Sequence, residues 1–261
     1  MSSGTLLLRV AAVTHSGRVR DHNEDTLAAG FWARNEPMAE ADEIDLTVTD
    51  RAACLIADGM GGHAAGEVAS FYAAARFAQS AFKLTDPGTL AGCLQEISDE
   101  IQAQMLETPD RQGMGTTIAG LLFDAESVYV YNVGDSRVYQ VRQGFLRQLS
   151  TDHVPEKPAG DVYDPAEDNK PGASSSRLLQ CLGGMAEPVR IAPSIQTLPL
   201  QMGTAFLICS DGLTDMVGLD ALEACLQGTD KQAVDLMLKA ALDAGGRDNV
   251  SIMIVRVGRT S

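Results

Sequence analysis

"AACLIADGMGGHAAGE", residues 52–67, passes from an apolar run through an aspartate into a glycine-rich turn and on toward a helical pattern. A short apolar run closed by turn residues reads as a strand buried in a sheet. Glycine widens the backbone's range and lets other atoms approach closely, at an entropic cost when the segment is ordered. An isolated Asp-Gly is most simply a tight turn with an exposed acid. Side chains are nevertheless surrendered at Gly59, Gly61 and Gly62, beside Asp58, and the rest of the chain shows why.

The same arrangement recurs. "VYVYNVGDS" leads to Asp135 and "TAFLICSDG" to Asp211, whereas "GGRDN" places Asp248 just before the apolar run "VSIMIVRV". "SRVYQVRQG" alternates with period two and is expected to pair with the run before it across the "VGDS" turn. Helical spacing covers "GEVASFYAAARFAQSAF", "TLAGCLQEISDEIQAQML", "LDALEACLQG" and "DKQAVDLMLKAALDAGG". Strands, a helix pair, more strands, a second helix pair and a last strand imply sheets flanked by helices, in one domain over residues 1–261. Residues 34–51 are acid-rich and expected to be a surface excursion joining two strands. Residues 152–176 are rich in proline, glycine and acids, and a loop of that length is either functional or disordered.

Bulk properties narrow the function. The chain has 261 residues, 45% hydrophobic, with a formal net charge of −15, a globular composition able to bury a substantial core. The acidity argues against broad attachment to nucleic acid or anionic membrane. No apolar run approaches the roughly 20 residues that span a bilayer. "MSSGTLLLRVAAV" has no basic residue ahead of its apolar stretch, so it reads as a first strand rather than a signal peptide. The five cysteines are scattered without a Cys-x-x-Cys pair, which suits buried reduced thiols in the cytoplasm.

Each strand-terminal acid alone is better read as a turn residue than as a ligand. Asp58, Asp135, Asp211 and Asp248 gathered at one end of a sheet would repel one another strongly without cations. Oxygen-only donors suit a hard divalent ion, Mg²⁺ or Mn²⁺, rather than zinc. Glycines beside Asp58 would allow a sharp turn and offer a backbone carbonyl as a further ligand. "SGRVRDHNEDT" adds Glu24 and Asp25, with Arg20 upstream. A guanidinium can hold phosphate through paired hydrogen bonds, or simply pair with a neighbouring acid.

"RDHNED", "ADGMGGHAAGE", "GMGTT", "NVGDSRVY", "CSDGLTD" and "GGRDNVS" occur in the order found in the PP2C family of metal-dependent protein phosphatases, bacterial branch, and the chain resembles that family from about residue 10 to residue 257. The resemblance implies an α+β fold, a four-layer αββα sandwich of two antiparallel β-sheets each covered by a pair of helices. It implies hydrolysis of phosphoserine and phosphothreonine in proteins, opposing a bacterial Ser/Thr kinase, with two catalytic Mn²⁺ or Mg²⁺ ions and a third, weaker one; a monomer is expected. Asp58 resembles the carboxylate bridging two metals, with the Gly59 carbonyl beside it and Glu24 on one ion. Asp25 would support from behind. Asp211 and Asp248 match ligands of the other ion, Asp135 a ligand of the third, and Arg20 the phosphate clamp.

Such ions acidify a water for in-line attack on phosphorus, so no nucleophilic side chain is needed. Consistently, there is no Cys-x5-Arg loop, Asp-x-Asp pair or Gly-rich Lys-Ser/Thr loop. His63 is a candidate proton donor to the leaving oxygen, against a role in orienting its loop. His15 and His22 read as structural or surface residues, and His153 carries no assigned chemistry. "GMGTT" reads as a packed turn, and "SSRLLQCLGG", with Arg177, as the close of an irregular flap over about 152–183. Two rival readings use the same residues: a catalytically weak module that binds phosphoproteins, and a phosphatase of small metabolites.

Overall fold

In the computed structural model, which describes residues 5–61, 65–155, 178–185 and 187–260, every apolar run named above becomes a strand. The chain begins with β1 (Leu6–His15), β2 (Asp25–Ala29), β3 (Trp32–Arg34), β4 (Asp42–Val48) and β5 (Ala52–Met60). Helices α1 (Ala65–Ser80) and α2 (Pro87–Glu107) follow, then β6 (Gly115–Thr116), β7 (Ile118–Phe123), β8 (Ser127–Val133), β9 (Arg137–Arg142) and β10 (Phe145–Gln148). Strands β11 (Leu182–Gly183), β12 (Ser194–Pro199) and β13 (Ala205–Cys209) lead to α3 (Asp211–Thr214), α4 (Leu219–Cys225), α5 (Asp230–Asp243) and the last strand, β14 (Val250–Arg259).

The strands form two antiparallel sheets. One has the order β10-β9-β13-β14-β1-β4; the other runs β11-β6-β5-β7-β8-β12, with the β2–β3 hairpin attached through β5. Alternation along each strand explains how the layers stack, because successive side chains point to opposite faces. On β5, Cys54 and Ile56 join the core between the sheets, whereas Ala53, Leu55 and Ala57 join the core beneath α1 and α2. On β14, Met253, Val255 and Val257 face the inter-sheet core, and Val250, Ile252 and Ile254 face α5. Central strands buried on both faces therefore read as continuous apolar runs. The expected four-layer αββα order is present.

Local signals delimit the helices. Asp86 caps α2 by accepting from the Gly88 and Thr89 amides, Thr89 reciprocates, and Pro87 stands in the first turn. Thr229 and Gln232 form the equivalent box on α5. Phe77 on α1 packs its ring against Tyr131 of β8, with centroids 4.6 Å apart.

Two expectations are corrected. Strand β9 does not pair with β8: β8 lies between β7 and β12 in one sheet, and β9 between β10 and β13 in the other. The "VGDS" turn crosses between sheets, with Gly134 at φ +110° and a Cβ there only 2.6 Å from Thr117 Cγ2. Residues 34–51 are not a bare excursion, since they contain the edge strand β4. There Ile44 and Leu46 pack on the inter-sheet core while Glu43 and Asp45 face water. An edge strand bearing charges resists pairing with other chains. The expected flap falls mostly on residues 156–177, outside the described residues, as does Arg177.

Candidate active site

The fold carries the acids to one edge of the sandwich. Asp58 lies near the end of β5, directly opposite Asp25 at the start of β2. Asp211 opens α3 immediately after β13, and Asp248 stands two residues before the adjacent strand β14. Glu24 precedes β2, and Asp135 lies in the turn where the chain changes sheets.

These carboxylates perturb one another's titration. Burial pushes the Asp58 carboxyl well above the usual carboxylate range, and Asp25, Asp211, Asp248 and Asp135 push it further. Asp211 is raised by burial and then by Asp135, Asp248, Asp215 and Asp25. Burial lifts Asp25 to about 7, against hydrogen bonds from Ser251 and Ser210. It lifts Asp135 to about 6 against a hydrogen bond from its own amide, with Asp215 and Asp152 adding to the rise. Glu24 is raised chiefly by burial and lowered by Arg20. Arg20, about half exposed, pairs with Asp248 Oδ2 at 2.6 Å.

A buried crowd of oxygen donors with one guanidinium at its margin fits hard divalent cations. Among the described residues no three of these side chains form a group that could hold a metal ion as they stand, while four of the carboxylates act on Asp58. Asp25 Oδ1 is buried without a hydrogen bond, while Ser210 Oγ donates to its Oδ2 at 2.9 Å. The donor set and the unmatched negative charge both suit such ions.

The glycines flanking Asp58 now have a physical reason. A Cβ on Gly59 would overlap the Gly66 carbonyl and lie 2.6 Å from the Glu24 carbonyl oxygen. A Cβ on Gly66 would lie 2.8 Å from Glu24 Oε1. Three backbone segments thus approach more closely than any side chain permits. The Gly59 amide donates to Glu24 O at 3.1 Å, and Ser70 Oγ donates to the same oxygen at 2.6 Å. "GMGTT" is a turn only at its start, for Gly115 and Thr116 form β6 and pair with Met60 and Gly59 of β5. The segment holds the Asp58 backbone, since Thr116 Oγ1 and the Thr117 amide donate to Asp58 O at 2.9 and 2.8 Å, and the Asp58 amide donates to Thr117 Oγ1 at 3.2 Å.

His63 lies outside the described residues. His15 Nδ1 accepts from the Gly17 amide at 2.9 Å, a structural role. His153 clasps the Asp135 turn: its Nδ1 accepts from the Gly134 amide at 3.0 Å and its amide donates to Gly134 O at 2.8 Å. Three residues without an assigned role join the site. Asp215 follows Asp211 by four positions, the spacing that puts side chains on one helical face, and that signal was available in "CSDGLTD". Asp152 pairs with Arg137 at 2.7 Å and raises Asp135; nothing local marks it. Asn249 adjoins Asp248 in "GGRDNVS", and its significance depends on contacts far away in sequence.

Comparison with known proteins agrees with this architecture. The family model described as Protein phosphatase 2C matches residues 34–243. The serine/threonine phosphatase stp of Listeria monocytogenes is 32% identical over 255 residues, covering 93% of each chain. The serine/threonine protein phosphatase PstP of Mycobacterium tuberculosis is 31% identical over 265 residues; these span 98% of this chain but 46% of that protein. The crystal structure of the PstP catalytic domain in complex with two manganese ions superimposes with a TM-score of 0.73 at 29% identity, covering 97% of this chain and all of that one. With motif order, sheet topology and sequence identity in agreement, the chain belongs to the protein phosphatase 2C family.

Proposed function

We propose that the protein is a metal-dependent protein serine/threonine phosphatase using Mn²⁺ or Mg²⁺, and that the acids assembled around Asp58 are its metal ligands. The observation that carries this is the buried Asp58 carboxyl, paired across strands with Asp25 and raised first by burial and then by carboxylates delivered from both sheets. Divalent ions bound there would supply an acidified water and positive charge for the phosphoryl oxygens. Asp58, the Gly59 carbonyl, Glu24, Asp211 and Asp248 would hold two ions, and Asp135 with Asp211 a third. Asp25, bonded to Ser210, steadies Asp58 from behind. Arg20, on the exposed side of the cluster, binds the substrate phosphate, and His63 is the candidate for protonating the departing Ser or Thr oxygen. Phosphoproteins are the substrates, with a bacterial Ser/Thr kinase as the opposing activity.

The three apolar layers support a single working domain, and we assign it a monomeric state without a nucleic-acid or membrane partner. Among the described residues no helix is long and apolar enough to cross a membrane. The free cysteines, four of them buried, support a reducing, cytoplasmic setting. The test is turnover of p-nitrophenyl phosphate and then a phosphothreonine peptide, with Mn²⁺ and with chelator. Metal-dependent turnover of the peptide is expected. None on either substrate would favour the binding module, and hydrolysis confined to small phosphates would favour the metabolite phosphatase.

A further inference from the structure

The turn that carries Arg20 and Glu24 leaves β1 at His15 and enters β2 at Asp25 with no regular structure of its own. Something must hold it against the segment bearing Asp248. Several close approaches do so: the Arg18 amide donates to Gly246 O at 2.7 Å, and Gly17 packs directly on the Asp248 carbonyl. One side chain reaches the whole turn. Asn249, 4% exposed, accepts at Oδ1 from the Glu24 amide at 2.8 Å. Its Nδ2 donates to Ser16 O at 3.1 Å and to His22 O at 2.8 Å. Its own amide donates to Asp248 Oδ1 at 2.8 Å, and its carbonyl abuts Gly212, next to Asp211.

These bonds select asparagine on chemical grounds. One acceptor meets an N–H and two donors meet carbonyls, a pattern only a primary carboxamide supplies. Aspartate would turn an anion toward two carbonyl oxygens, and an apolar residue would leave three backbone groups unsatisfied. The bonded positions 16, 22 and 24 bracket Arg20. We infer that Asn249 is a positioning residue for the reaction: its carboxamide sets Glu24 and Arg20 in register with Asp248, so its loss loosens metal and phosphate binding together. This rests on the phosphatase reading above.

The test uses the full chain as Asn249→Ala and Asn249→Ser, with Glu24→Gln and the Asn249→Ala/Glu24→Gln double variant. In the metal-free protein, exchange of the Glu24 amide is expected to speed up at least about tenfold while amides within β14 keep their protection. Manganese affinity by calorimetry should fall about 10- to 100-fold, the range for groups that orient metal ligands, with kcat on p-nitrophenyl phosphate falling and KM rising. Because Asn249 acts through Glu24, adding Asn249→Ala to Glu24→Gln should weaken manganese binding by less than about twofold more. A purely structural role would lower Tm yet leave manganese affinity and kcat within about twofold in the folded variants, and that result overturns the inference. So does an unchanged Glu24 amide, or full additivity in the double variant. Should Asn249→Ala fail to fold, Asn249→Ser carries the same readouts. A parent protein that binds manganese without turnover defeats the phosphatase reading alone, because exchange and calorimetry still decide the role of Asn249.

Discussion

Raising the pH in the absence of divalent ions should destabilise this protein at a pH where most proteins are comfortable. Asp25 is buried and titrates at about 7 in the folded state, against its ordinary 3.8. A folded-state pKa above the unfolded value means that the folded state binds the extra proton. The associated stability is complete below about pH 4 and is lost as pH rises through about 7. Between pH 5 and 7 the slope for one group is about −1.4 kcal/mol per pH unit, giving on the order of 3 kcal/mol from Asp25 alone. At roughly 2–4 °C per kcal/mol for a chain of this size, Tm in EDTA should fall by about 6–12 °C. Asp58, Asp135 and Asp211 are raised in the same direction and steepen the fall. Burial lowers His15 and His153, and these add a slope of opposite sign below about pH 6.5. Comparison with Asp25→Asn separates the terms, since that variant should show a flatter profile and a higher metal-free Tm at pH 8. Manganese should raise Tm more at pH 8 than at pH 5.5, because bound cations oppose the same repulsion. Scanning calorimetry from pH 5 to 8, with EDTA and with Mn²⁺, makes the measurement. A metal-free Tm that is flat or rising for the parent, or unchanged in slope by Asp25→Asn, would refute the reasoning.

Asp58→Ala and Asp211→Ala should each remove at least about 100-fold of manganese-dependent turnover on p-nitrophenyl phosphate while the circular dichroism spectrum is kept; near-normal rates at saturating Mn²⁺ would exclude them as ligands. Arg20→Ala should raise KM by roughly tenfold or more, from the loss of a charge-assisted phosphate contact, with a smaller effect on kcat; unchanged values of both would remove the clamp. Gly59→Ala forces a methyl group onto the Gly66 and Glu24 carbonyls and should cost about 3 kcal/mol or more of stability, read by urea denaturation, together with most of the activity. Phe77→Ala, in the core beneath α1 and α2 and stacked on Tyr131, should cost about 3–5 kcal/mol while leaving KM unchanged in the protein that remains folded.

Asp58, Asp135, Asp211 and Asp248 were legible as candidates because three close an apolar run and Asp248 stands just before one, and runs and turns are short-range features. The recurrence of that pattern, with the motif order, carried the layered fold and the family. Other parts needed partners distant in sequence. Strand β9 reads as the hairpin mate of β8, yet both flanks of β8 are taken by β7 and β12, so the chain crosses to the other sheet. Residues 42–48 look like loop because their charges dominate, although β1 offers them a full register of pairs.

What the sequence determined by itself was therefore local: where the apolar strands and the main helices lie, which acids border them, where glycine is needed, and which family shares their order. Only the tertiary structure decided that Asn249 grips the Glu24 turn across an interval of 225 residues. Only it showed that Thr116 and Thr117 hold the Asp58 backbone, and that burial together with neighbouring acids shifts the titration of Asp58. The physical reason is that periodicity and turn chemistry act over a few residues along the chain. Desolvation, Coulomb repulsion and hydrogen bonds depend instead on separation in space, which exists only after the two sheets have closed on each other.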